Sequence, residues 1–366
     1  MASTPTRDRL AHWLSEVSTH DTSALEWGRG VLVLDVVLVP LIFFWSWGHE
    51  VYLLSALFGA IFTFVTDTGG VHGPRVVRMA VFGLLGAGLT ALGFWLGGQA
   101  WGWFVLATFA VTLVCSLAIV GGVHALVSGL ILNIWFIIAL GVEFSLHKQT
   151  RVTSYVWGQV LAWAAGAALW IVVATIVWLI RRRDEMPQPI PEIPGDTTPR
   201  KLSRSIVAFA LIRALALAGA VALAFGANLS HALWLPIATV IAMKPGLEQS
   251  TVAAAQRLIG ALIGAVAAGL LLLIPANVHG ARLVSIDFGL TVLAIVFFMH
   301  GIAIRFFNYA LYTAAIAAGV LIIADLTQPS DYSAEGYRVL WTLVGVAIGV
   351  VVMFLAQLLA KRKANA

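Results

Sequence analysis

Twelve apolar stretches separated by short polar breaks pattern the chain. They run over roughly 30–47, 51–66, 74–97, 101–120, 123–142 and 153–180, and then 205–226, 231–243, 251–274, 286–303, 306–324 and 337–360. A helix needs about 20 residues to cross the hydrocarbon of a bilayer, so the pattern predicts twelve membrane helices. Two stretches are short, 51–66 and 231–243, and each is the second in its set of six. Gly121-Gly122 splits the long run from Trp101 to Gly141 into two spans joined by a tight turn.

The two short stretches open similar passages. In residues 232–264 an apolar run containing Pro236 stops at Lys244-Pro245-Gly246, a polar turn follows, and Arg257 leads into a small-residue helix with Gly260 and Gly264. In residues 53–86 the run stops at Asp67, the turn holds Gly69, Gly70, Gly73 and Pro74, and Arg78 leads into Gly83 and Gly86. The interval from Arg78 to Arg257 is close to half the chain. This spacing predicts an internal duplication. Six spans is an even number, so both halves enter the membrane in the same direction and a pseudo-twofold axis along the membrane normal relates them. The expected fold is an all-α integral membrane protein of two parallel six-helix repeats, residues 30–180 and 205–360.

The segments outside the spans are polar. In residues 1–29, Leu10, Trp13, Leu14 and Val17 fall at helical spacing, as in an amphipathic helix lying on the membrane surface, the alternative being a partly ordered tail; no cleavable signal peptide is evident there. Residues 181–204, RRRDEMPQPIPEIPGDTTPRKLSR, read as an exposed Pro-rich linker, and 361–366 as a basic tail.

Composition agrees. Of 366 residues, 60% are hydrophobic and 11% charged, against about a quarter charged in soluble proteins; the mean hydropathy is +0.95. The net charge of +5 does not point to nucleic acid, because Lys and Arg gather at the ends of apolar runs and form no basic stripe. With both termini and the 181–204 linker in the cytoplasm, seventeen of the 22 basic residues face that side. Four (Lys148, Arg151, Arg282 and Arg338) face the other, and Arg213 lies within a span. Cys115 has no second cysteine to pair with and reads as inert core.

No nucleophile–base pair, metal-ligand cluster or phosphate loop is present, so neither an enzyme nor a cofactor or metal site is expected. The glycine-rich 83–93 stretch follows no strand and reads as a close-packed helix face. Ionisable groups inside spans are costly and are the better leads. Asp35 and Arg213 occupy nearly equivalent places in the two halves and could pair or share a polar cavity; the alternative is that each reaches separately to an interface. Short spans at matching places point to a substrate site. Around their ends stand Asp67, Arg75 and Arg78, and Lys244, Glu248 and Arg257, a positive balance suited to an anion, although Arg75 reads rather as a membrane anchor. A third group gathers where the fourth and fifth spans join: His124, Asn133 and Trp135 in the first half, His300, Arg305, Asn308 and Tyr309 in the second. There Asn, Tyr and Trp could orient an aromatic carboxylate, and a histidine could titrate during transport.

Trp234, Pro236, Ala238 and Val240, followed by Arg257, Gly260 and Gly264, resemble the pattern of the fusaric acid resistance family, also grouped as aromatic acid exporters. RFFNYALYTAAIAAGVLIIADL (305–326) and EGYRVLWTLVGVAIGV (335–350) agree with it. The resemblance is specific in 205–360 and looser in the first half, where Asp67, Gly73-Pro74 and Arg78 carry it. It implies a proton-motive-force-driven transporter of the bacterial inner membrane, typically exporting aromatic or related organic acids beside a periplasmic adaptor. The expected function is proton-coupled movement of organic anions, export favoured. Asp35, Asp67, His124 or His300 would carry the proton. Arg213, Arg257, Arg305 and Lys244 would attract the anion, and Asn133, Trp135, Asn308 and Tyr309 would orient it. A passive anion channel, an importer and a non-transporting accessory subunit are the alternatives. The expected partners are the bilayer, the anion and the adaptor, with self-association left open.

Overall fold

The apolar stretches become helices, twelve α-helices among the described residues of the computed structural model. It describes residues 25, 27–148, 155–182, 184, 199–231, 233–244, 247–274, 281–305, 307–325 and 333–364. The N-terminal amphipathic stretch at 1–24 and most of the 181–204 linker lie outside these. The helices are α1 (Trp27–Ser46), α2 (Leu53–Thr66), α3 (His72–Leu96), α4 (Trp101–Leu117), α5 (Val123–Lys148) and α6 (Val156–Arg181), then α7 (Arg204–Val221), α8 (Trp234–Ala242), α9 (Leu247–Leu272), α10 (Ala281–Ala303), α11 (Tyr309–Asp325) and α12 (Ser333–Ala364). The Gly121-Gly122 turn forms as expected: Gly122 takes φ 91°, a conformation open to glycine, between α4 and α5.

Among the described residues eight helices are long and apolar enough to cross a membrane: α1, α3, α4 with its 3-10 extension, α5, α6, α7 with its π-helical extension, α9 and α12. The chain is therefore an all-α, multi-pass membrane protein. The two short runs remain short. At about 1.5 Å per residue, the 14 residues of α2 and the 9 of α8 fall well below the ~30 Å of hydrocarbon. Both stop in the same way, at an extended C-terminal residue: Asp67 with ψ 96° and Met243 with ψ 93°.

The chain divides into two compact units, residues 35–228 and residues 1–34 with 229–366. In the first, α6 packs on α2 and α3, and α5 packs on α3 and α4. In the second, α12 packs on α8 and α9, and α11 packs on α9 and α10. These are the same pairings six helices later. A further exchange is reciprocal. α7 follows the linker yet packs on α4 in the first unit, with Phe225 against Phe104. The start of α1 belongs to the second unit, where Gly30 meets Met299 and Ala303 of α10.

The tightest helix approaches correspond as well. A Cβ on Gly166 of α6 would strike the carbonyl of Ala56 and the backbone nitrogen of Ala60 on α2. A Cβ on Gly345 of α12 would strike the carbonyl of Leu235 and the backbone nitrogen of Thr239 on α8. Each of these three positions shifts, from one unit to the other, by the same interval that separates Arg78 from Arg257. Glycine lets the two backbones meet in each unit, the small-residue packing common between membrane helices.

Candidate functional site

In the 229–366 unit, the α8–α12 contact carries a charge. Arg338, on the second turn of α12, is 2% exposed. Its guanidinium carbon lies 3.7 Å from the centre of the Trp234 ring at the start of α8, close enough for a cation–π contact. Nε and Nη1 of Arg338 are buried and meet no hydrogen-bond partner among the described residues. Arg257 of α9 is within electrostatic range, and its buried Nε is likewise unpartnered. Around them Tyr337 stacks between His231 and Trp341, at ring separations of 5.7 and 6.2 Å, and the Trp341 indole donates to the Ser230 carbonyl at 2.8 Å. The result is a buried positive charge with an aromatic wall.

The corresponding place in the 35–228 unit is neutral. Ser55 and Gln159 are the counterparts of Trp234 and Arg338, offset by the interval between Arg78 and Arg257. Both are fully buried, and they satisfy one another: Ser55 donates to Gln159 Oε1, and Gln159 Nε2 donates to the Val51 carbonyl. Arg78, the counterpart of Arg257, donates to the Gly69 carbonyl at 2.8 Å.

The other predicted residues are placed as follows. Asp67 ends α2 and receives both arms of Arg75, at 2.7 Å to Oδ1 and 2.6 Å to Oδ2, besides the Gly69 amide and the Trp170 indole. Arg75, expected as a membrane anchor, is thus buried in an ion pair. Asp35 is exposed on α1 and Arg213 is 3% exposed on α7; no ion pair joins them among the described residues. Arg213 lies instead near Cys115 of α4 and 6.0 Å from the Phe209 ring. Asn133 bonds Thr112. Trp135 is fully buried, stacked on Trp163 at 4.6 Å, and its indole donates to Thr90. Asn308 caps α11 by accepting from the Leu311 amide, and Tyr309 rests on Tyr312. His300 bonds the Val296 carbonyl and meets Trp27 edge-on. His124 opens α5, and its buried Nδ1 meets no hydrogen-bond partner among the described residues. Lys244 and Arg305 are 4% and 5% exposed. Among the described residues, no three His, Cys, Asp or Glu side chains converge as metal ligands would.

The structure therefore brings Arg257 and Trp234 to Arg338 and joins Asp35 to Arg213 by no ion pair among the described residues. Arg338 escaped the sequence reading because a lone arginine near the start of a span resembles an interfacial anchor. The repeat offset holds the missing signal, since it sets Arg338 against a glutamine rather than another charge.

Residues 216–352 match the fusaric acid resistance protein-like family, which supports the resemblance drawn from the motifs. The matched stretch runs from within α7 to within α12 and includes Trp234, Arg257 and Arg338. It is shorter than half the chain. No curated protein and no solved structure matches the chain.

Proposed function

From the fusaric acid resistance protein-like match over residues 216–352, we propose that this membrane protein is a secondary transporter for organic anions, aromatic or carboxylate-bearing. It is proton-coupled, exports across a bacterial inner membrane and keeps both termini in the cytoplasm. The observation that carries the reading is the burial of Arg338 inside the matched stretch, 2% exposed with two nitrogens that meet no hydrogen-bond partner among the described residues. Charge is costly at such places, and an anionic substrate gives it a use. The shared pairings of the two units and their common sequence offset support a duplicated architecture, the plan of many secondary transporters. Short α2 and α8 support it too, because broken helices leave backbone groups beside a polar path. For the proton, Asp35, His124 and His300 are the simplest carriers, since Asp67 would first have to release Arg75.

The test is uphill movement. Proteoliposomes holding the purified protein receive a pH gradient and radiolabelled benzoate. Accumulation above the level set by passive partition, abolished by a protonophore, is the expected result. Equilibration without accumulation would replace the transporter by a channel.

A further inference from the structure

We infer that Arg338, backed by Trp234 and flanked by Arg257, is the binding point for the carboxylate of the transported anion; this rests on the transport reading above. Arg338 is 2% exposed, and two of its nitrogens have no partner among the described residues. A buried charge in this state is costly unless something pairs with it. The nearby charge of Arg257 has the same sign and adds to that cost. A carboxylate placed between the two arginines removes both penalties with charge-assisted hydrogen bonds. The Trp234 ring covers one face of the guanidinium, so the donors at its edge are left for the ligand.

The other unit shows what the position looks like without this task. Ser55 and Gln159 close on each other there, and Arg78 is bonded to the Gly69 carbonyl. Helix packing does not demand an arginine. The same backbone approach forms at Gly166, two turns after Gln159, and at Gly345, two turns after Arg338. The site is therefore single, confined to the 229–366 unit.

The test is equilibrium binding of labelled benzoate to the purified full-length protein, with benzamide, acetate and malate as competitors. Arg338→Gln should weaken benzoate at least tenfold, Arg338→Lys should recover part of the loss, and neutral benzamide should not compete. Gln159→Arg should leave the affinity within twofold. Arg257→Gln, at a half-buried position, serves if Arg338→Gln fails to fold, with at least a threefold loss expected. Unchanged affinity in a folded Arg338→Gln, or in Arg257→Gln when it stands in, overturns the site. If proteoliposomes of Arg338→Gln still accumulate benzoate as the native protein does, the site is wrong and the transport reading stands. If the native protein neither binds nor moves any of the three anions, the transport reading falls and the site with it.

Discussion

The Arg338 guanidinium sits over Trp234 with its central carbon 3.7 Å from the ring centre, while Gln159 and Ser55, at the equivalent places of the other unit, form a neutral hydrogen-bonded pair. One helix contact is thus built twice with different chemistry. Backbone geometry is shared, through Gly166 and Gly345, and the side chains beside it differ.

The shared contact should be equally intolerant of a methyl group in both units. Gly166→Ala and Gly345→Ala each force a Cβ onto backbone atoms of the facing helix, which cannot yield as a flexible side chain could. Overpacking of this kind costs about 1–3 kcal/mol. Gly219→Ala on α7, where a Cβ would meet nothing within 4 Å, is the control and should be neutral or mildly stabilising. Melting of the purified variants in detergent measures all three.

Asp67 and Arg75 should act as one structural unit. Both side chains are almost fully buried, and the carboxylate is further bonded by Gly69 and Trp170. Removing one partner strands a buried charge at a cost of about 3–5 kcal/mol. Asp67→Asn and Arg75→Gln should therefore each lower the melting temperature sharply. The double variant should be less damaged than the two losses added together. Simple additivity in the double-mutant cycle would show that the pair is not coupled.

The helices were legible because long apolar runs form helices that satisfy their own backbone groups, and eight of the twelve are, among the described residues, long and apolar enough to span a membrane. The boundaries of α2, α3 and α6 fall within a few residues of their predicted runs. The matching helix pairings of the two units were foreshadowed by Arg78 and Arg257, because a similar turn and small-residue helix follow a similar short span in each. Side-chain partnerships were less legible. Asp67 and Arg75 lie on opposite sides of a helix end, and only the extended turn at Asp67 and the start of α3 bring them together. Trp135 suggested a ligand-stacking residue, yet its ring is used up by Trp163 and its N–H by Thr90. Asn308 suggested a substrate contact and caps a helix. In each case a residue type able to hold a ligand also serves packing or capping, and sequence spacing does not separate the two.

Trp135 should consequently behave as core. Thr90 is fully buried, and its hydroxyl accepts from the Trp135 indole and donates to the Gly86 carbonyl. Thr90→Val keeps the shape but leaves the indole N–H unsatisfied, at about 1–3 kcal/mol. Melting should fall accordingly, while benzoate affinity of the folded fraction stays within twofold. A selective loss of affinity without loss of stability would move Trp135 from the core to the binding site.

Cys115 offers a clean probe of the α4–α7 contact because it is the only cysteine in the chain. It is 9% exposed on α4, on the side of Arg213. A thiol at such a place reacts only when the helices part, since the reagent must reach it and the reactive thiolate must form beside apolar neighbours. The native protein should take up less than a tenth of an equivalent of N-ethylmaleimide in the time that full labelling takes in denaturing detergent. Comparable labelling in both states would show that α7 does not cover α4. On the proposed transport reading, a rise in the labelling rate under a pH gradient with benzoate present would place a moving contact between these two helices, whereas a constant rate would assign them to the static frame.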